Sequence, residues 1–486
     1  MGANMPTFSD IDWGEDDGTG DEGLRNYFVE IPEFKSAIKG DIRYIIGRKG
    51  TGKSAIAEKI RLESAQRYDW FFSDLSLKDF PLSLFRSLED KSHKGKAKYV
   101  PAWTFLICIR LISLILDDNS FIGTDRNVLQ QFMDKNFPGD NLGFVDIIRY
   151  VTSRQAKLTI PNAADFGLSG STEQQVTLHY QTVTDSLIRL INNACSDSLF
   201  FMLFDELDED FSAGDPSIRL ILLSLFRAIE NLYKEFNKNS NINFRPLLLL
   251  RSDIFDSLRD NDLNKLDDYV FRLNWSKYAG SQYDLKSVVE ARIIASLQNP
   301  NATWEHVAND RGQNRPGYMQ SLWHFMLNRT YERPRDIIKF LKICGRKNVS
   351  AKLDADGVKS AEFDYSNWLF RELDNEIYAH EPIWDKAAML ISSIGVNTFD
   401  RCDLEEQFKN DSVVADYLEL NDKKPIQLIE TLFDFGILGT IEPVSKRWIF
   451  RYKDHLLPFN KDAKLIVHYG LLKKFRLRVI SVQSLQ

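Results

Sequence analysis

Apolar residues in this chain gather either into short unbroken runs or into longer stretches with helical spacing. The run Leu199-Phe200-Phe201-Met202-Leu203-Phe204 has no polar alternation, the pattern of a parallel strand buried on both faces. Leu247-Leu248-Leu249-Leu250 repeats it, and apolar pieces at about 41–46, 69–75 and 269–275 bring the predicted strands to five. Helical spacing predicts α-helices at about 53–67 and 217–236, and from Val176 to Ala194, where Val183, Leu187, Leu190 and Ile191 recur on one side. Strands separated by helices predict an α/β fold with a parallel sheet. A mostly helical insertion, about 77–172, sits between the second and third strands, with a Gly/Ser loop at 167–171. Its most apolar part, Trp103 to Leu116, is shorter than the ~20 residues of a membrane span and carries Arg110. It predicts a buried helix and no membrane partner.

Past residue 281 the pattern is helical to about 365, with pieces at 284–298, 316–329 and from Arg333-Pro334-Arg335-Asp336 onward. Proline suits the first turn of a helix. A cation at the N-terminal end, Arg335, opposes the helix dipole, so it needs an anion: a bound phosphate, or a salt bridge to Asp336 or Glu332. From Trp384 three short helical pieces (384–394, 400–409, 425–435) precede strand-like pieces at 437–442 and 447–452. That order predicts a winged-helix domain over 366–486. Residues 1–23, acidic and glycine-rich toward their end, predict a flexible tail. Residues 24–280 predict the sheet-containing core.

The chemistry centres on Gly47-Arg48-Lys49-Gly50-Thr51-Gly52-Lys53-Ser54, directly after the first predicted strand and directly before Ala55 and a helix. This is a P-loop. Backbone N–H groups of such a turn converge on phosphate oxygens, Lys53 reaches the β- and γ-phosphates, and the Ser54 hydroxyl ligates Mg²⁺. The third strand ends in Asp205-Glu206, where open α/β sheets bind ligands. Asp205 is expected to hold the Mg²⁺ water shell and Glu206 to polarise the attacking water; Asp208 and Glu209 extend the acidic stretch. The fourth strand ends in Arg251-Ser252-Asp253, making Arg251 and Asp253 candidates to sense the γ-phosphate. Tyr27, just before the first strand, is expected either against an adenine base or packed under the sheet. Asn264-Lys265-Leu266-Asp267 matches a guanine-reading motif but follows a polar segment rather than a strand, so ATP with Mg²⁺ is the expected cofactor pair.

The 486 residues admit roughly three domains. A net charge of −7 excludes a global nucleic-acid signature, yet residues 446–478 carry ten Lys/Arg against two Asp. Lys446, Arg447, Lys473, Lys474 and Arg476 are therefore candidates to bind nucleic acid. Cys108, Cys195, Cys344 and Cys402 lie far apart, the usage of a reduced, cytoplasmic protein.

P-loop, Asp-Glu strand end, arginine-ended strand and Arg-Pro-Arg-Asp helix together resemble AAA+-type ATPases of the origin-initiator and STAND-like branches. More narrowly, Tyr44 to Ile56, preceded by Tyr27-Phe28, together with Val467-His468-Tyr469-Gly470-Leu471, resembles a group of bacterial P-loop ATPases found in defence-type gene neighbourhoods. The resemblance implies strand order 5-1-4-3-2, a helical lid at 281–365 and a C-terminal winged helix. It also implies that Arg251 occupies the sensor-1 position and Arg335 the sensor-2 position, with Arg259 in the stretch of a trans arginine finger. Glu206, Lys53, Arg251 and Arg335 would then be catalytic. The function implied is an ATP-hydrolysing switch working as an oligomer or with an effector chain, or alternatively a DNA-binding initiator or loader.

Overall fold

Five parallel strands form the central sheet: β1 (Tyr44–Ile46), β2 (Trp70–Ser76), β3 (Cys195–Asp205), β4 (Asn241–Leu250) and β5 (Val270–Arg272), with neighbours in the order β2-β3-β4-β1-β5. The computed structural model describes residues 7–480 other than 17, 77–79, 122–123, 140–142, 162–163, 167–175, 207–214, 240, 259, 311–320, 349, 443 and 446. The 167–171 loop, Asp208, Glu209, Arg259 and Lys446 thus lie outside the described residues. The chain makes two units: one holds Glu30–Arg48 and Lys53–Leu273, and the other holds the N-terminal residues to Val29, Lys49–Gly52 and Asn274 onward.

In the first unit β1 is an inner strand, Ile45 lying between Leu249 of β4 and Phe271 of the edge strand β5. Phe200, Phe201, Met202 and Phe204 are fully buried, as an unbroken apolar strand requires. Helices α1 (Lys53–Ser64), α2 (Val100–Asp117), α3 (Tyr180–Asn192) and α4 (Pro216–Asn239) belong to the same unit. Among the described residues one helix, α2 with the turn before it, is long and apolar enough to cross a membrane. Trp103, Phe105, Ile109 and Ile112 on it are core residues, and Arg110 Nη2 donates to Ser73 Oγ at 2.7 Å. The expected helix from Val176 is corrected at its start: Val176–His179 is a strand, antiparallel to Lys157–Ile160. The His179 ring accepts from the Gln181 N–H and caps α3, so the helix begins at Tyr180.

Beneath β1 lies a buried ion pair. Arg43 donates to Glu230 through Nε at 2.8 Å and Nη2 at 3.0 Å, Tyr44 Oη donates to the same carboxylate at 2.9 Å, and the guanidinium sits 4.1 and 3.7 Å from the Tyr233 and Tyr269 ring centres. Both carboxylate oxygens and both guanidinium faces are thereby engaged, the condition for such a pair to be tolerated inside a protein.

The second unit is helical before it is sheeted. It contains α5 (Leu285–Leu297), α6 (Pro334–Lys347) and α7 (Ala355–Ile377), then α8 (Trp384–Ile394), α9 (Arg401–Asn410), α10 (Ser412–Leu420) and α11 (Pro425–Asp434). Strands β6 (Thr398–Phe399), β7 (Leu438–Ile441), β8 (Trp448–Ile449) and β9 (Leu465–Val467) pair antiparallel in the order β8-β7-β9-β6. A domain boundary at 365/366 would fall inside α7, one continuous helix whose Val358, Ala361, Tyr365, Leu369 and Leu373 form a single buried stripe. Helix 316–329 is Leu322–Leu327 in the described residues. The N-terminal segment differs from the expected flexible tail: Phe8, Ile11 and Trp13 are buried, the Asp12 N–H donates to Ser296 Oγ at 2.9 Å, and Arg292 Nε donates to the Trp13 carbonyl at 3.1 Å. Three apolar side chains among the acidic residues supply the burial that composition alone obscures.

Candidate functional site

The phosphate loop leaves β1 and enters α1, and its two ends are set by the first unit. The Gly47 N–H donates to the Leu250 carbonyl at 3.1 Å, tying the start of the loop to the end of β4. Lys53, the first residue of α1, turns its Nζ back onto the carbonyls of Gly47 at 2.8 Å and Arg48 at 3.2 Å. Ser54 Oγ donates to Asp205 Oδ2 at 3.1 Å. That bond brings the two expected Mg²⁺-holding groups together from residues 151 positions apart. Ala55 is half-buried in the first turn of α1.

Glu206 follows the last residue of β3, its N–H donating to Asp205 Oδ1 at 2.8 Å, and its φ of 61° lies in the left-handed region. A non-glycine residue held there costs on the order of 1–3 kcal/mol. Asp74, near the end of β2, is a further acidic group that motif reading passes over. Desolvation, and then the negative charges of Glu206 and Glu58, push its carboxyl above the ordinary aspartate range. The signal that could have found it is its place near the C-terminal end of a parallel strand. Arg251 and Asp253 are paired with each other: Nε donates to Oδ1 at 3.1 Å and Nη2 to Oδ2 at 2.7 Å.

The tip of the loop, Lys49–Gly52, belongs to the second unit. Gly50 has φ of 78°, and a Cβ on it would stand 2.9 Å from the Arg335 Cβ, so neither the backbone nor the space admits a side chain. Arg335 Nη1 lies 3.5 Å and Lys49 Nζ 3.7 Å from the same Glu372 carboxylate, and Arg335 Nε donates to the Asp16 carbonyl at 3.1 Å. Of the two alternatives for Arg335, the salt bridge is corrected in its partner, which is Glu372. Asp336 accepts from the buried Arg333 Nε at 3.0 and 2.9 Å, and Glu332 accepts from Lys453 at 2.6 Å and from Ser276. The Asp16 carboxylate accepts from Lys339 at 2.6 Å and Lys342 at 2.7 Å. Burial opposes its ionisation, but those two lysines outweigh burial and hold the carboxyl below its usual range.

Tyr27 is packed inside the second unit. Its hydroxyl donates to Asp21 at 2.6 Å, the Arg292 guanidinium stands 4.3 Å from its ring centre, and burial together with Asp21 raises its pKa. Of the candidate basic residues, Arg447, Lys473, Lys474 and Arg476 are exposed. Lys473 Nζ lies 3.9 Å from Glu362, and Lys474 Nζ lies 4.7 Å from the Phe370 ring centre. No cluster of three or more His, Cys, Asp or Glu suited to a metal ion occurs among the described residues. Ser54 with Asp205 suits Mg²⁺, which is bound through few protein ligands and keeps waters and phosphate oxygens. Cys108 and Cys344 are buried thiols, and Cys195 and Cys402 are exposed ones.

Residues 283–374 match the FunZ-associated C-terminal helical domain. The matched segment runs from the start of α5 into α7 and is a minority of the chain. Arg292, Arg333, Arg335, Asp336 and Glu372 lie inside the matched segment; the phosphate loop, Asp205, Glu206 and Arg251 lie outside it. Among solved structures, Cdc6p from Pyrobaculum aerophilum is similar at 11% identity, with 90% of this chain and 88% of that chain covered and a TM-score of 0.27. No curated protein matches.

Proposed function

We propose that this chain is an ATP-binding and ATP-hydrolysing switch of the AAA+ type. The observation that carries this is the 3.1 Å bond from Ser54 Oγ to Asp205, immediately beside Lys53 and the strained Glu206. In this reading the backbone of Gly47, Arg48, Lys49, Gly50, Thr51 and Gly52 surrounds the phosphates, and Lys53 exchanges loop carbonyls for phosphate oxygens. Ser54 and Asp205 hold Mg²⁺, whose charge supplies neutralisation of the triphosphate. Glu206 orients water. Arg251 and Arg335 add positive charge once they exchange Asp253 and Glu372 for phosphate. Strain at Glu206 supports a functional role, because such conformations are retained where chemistry needs them.

Steady-state ATP hydrolysis with MgATP tests this. Lys53→Ala is expected to abolish binding, and Glu206→Gln to bind normally while losing about 100-fold or more in turnover. Turnover in Glu206→Gln equal to wild type removes Glu206 from the role and the switch with it.

A second reading, DNA binding by a winged helix, is supported by the order helix, strand, helices, two strands from α8 to β8 and by exposed Arg447, Lys473, Lys474 and Arg476. It predicts duplex-DNA affinity that falls steeply with salt and weakens when those side chains are neutralised. A cytoplasmic role in anti-phage defence, with an effector chain or as an oligomer, rests on the resemblance of the loop and the C-terminal motif. Phage challenge of cells carrying wild type or Lys53→Ala tests it: equal sensitivity argues against defence.

A further inference from the structure

A loop that turns its N–H groups toward phosphate must turn its carbonyls the other way, and buried carbonyls need donors. Here three consecutive carbonyls of the loop tip are each taken by a donor from the second unit. Lys49 O accepts from Arg333 Nη1 at 2.9 Å, Gly50 O from the Arg335 N–H at 3.3 Å, and Thr51 O from Trp275 Nε1 at 2.7 Å. The two side-chain donors are firmly held. Arg333 is 3% exposed and is fixed by Asp336 and by Glu376 at 2.6 Å, and Trp275 is 8% exposed. Glu332, directly before Arg333, has φ of 51° and is held there by Lys453 and Ser276. A strained residue thus aims the buried arginine at the loop, and strain of this kind persists only where surrounding contacts enforce it.

We infer that Trp275 and Arg333 are positioning residues for the phosphate loop, clamping its carbonyls from outside so that its N–H groups are preorganised for a polyphosphate. This rests on the nucleotide-binding reading above and extends it to residues with no phosphate contact of their own. Preorganised donors gain their effect by having no reorganisation left to make when the ligand arrives. Removing one clamp therefore loosens the loop and weakens phosphate binding while the helices behind it stay folded.

The test uses the full chain. Trp275→Phe keeps the aromatic body and deletes the single N–H. Arg333→Lys keeps the charge that Asp336 and Glu376 require but not a fork that reaches Lys49 O as well. Two readouts are taken: the dissociation constant for MgATP, and amide hydrogen exchange of peptides covering 47–54 and 355–377 without nucleotide. Each variant is expected to bind MgATP about tenfold more weakly, with faster exchange over 47–54 and unchanged exchange over 355–377. Wild-type exchange at 47–54 in both variants overturns the clamp, as does wild-type MgATP affinity alongside a Lys53→Ala control that does not bind. If wild type itself fails to bind MgATP, the nucleotide reading falls, while the exchange arm still decides the clamp. If Trp275→Phe does not fold, Arg333→Lys carries both readouts.

Discussion

Ser54 and Glu206 make different demands on the same few ångströms. The Ser54 hydroxyl, 3.1 Å from Asp205, joins α1 to the end of β3. Ser54→Ala is expected to weaken MgATP binding by roughly tenfold or more, since hydrogen bonds to charged groups contribute about 1.5–3 kcal/mol; titration with and without Mg²⁺ checks this, and an equal loss without Mg²⁺ would point to a role other than metal binding. Glu206 stands at φ of 61°, where only glycine is at ease. Glu206→Gly is therefore expected to stabilise the fold by about 0.5–1 kcal/mol while eliminating turnover, read by thermal melting beside the hydrolysis assay. At this scale the motif residues are legible in the sequence because a loop between one strand and one helix is local chemistry. Glu372 is not legible, because it becomes relevant only through Lys49, far away in the chain, and through Arg335.

At the level of elements, burial decides which parts hold. The Arg43–Glu230 pair sits under β1, and Glu230→Ala would leave a buried guanidinium without its carboxylate. A loss of about 3–5 kcal/mol is expected, measured by urea unfolding. The N-terminal segment offers the pH prediction. Asp16 titrates below its ordinary value when held by Lys339 and Lys342, so its contribution is fully present above the unfolded aspartate pKa of about 4 and is lost as pH falls through the lower folded value. Hydrogen exchange over 7–23 should thus rise on acidification below about pH 4, and Asp16→Asn should show at neutral pH part of the loosening that wild type shows in acid. Composition misleads here because acidic, glycine-rich stretches ordinarily stay unfolded, whereas Asp16 has two specific lysines to meet. The Val176–His179 strand was illegible for the opposite reason: four residues are too few for periodicity to separate strand from helix.

For the molecule as a whole, the segment before the core is part of the second unit. Deleting residues 1–23 is expected to lower the melting temperature, because Phe8, Ile11 and Trp13 are each buried and a fully buried large apolar side chain contributes about 1.5–3 kcal/mol. An unchanged calorimetric melt would show those contacts to be without energetic weight. Much of the architecture was already determined by sequence alone. Short unbroken apolar runs at 199–204 and 247–250 point to strands covered on both faces, helical spacing places the segments between them, and the glycine-rich loop with Lys53 and Ser54 carries its chemistry in eight consecutive residues. Tertiary structure alone decided the pairings that no periodicity encodes. It gave Arg335 to Glu372 rather than to its sequence neighbours, Tyr27 to Arg292 and Asp21, and the outward carbonyls of the phosphate loop to Trp275 and Arg333. Local sequence sets what a residue can donate or accept; which partner stands within 3 Å is set by how the chain returns to it.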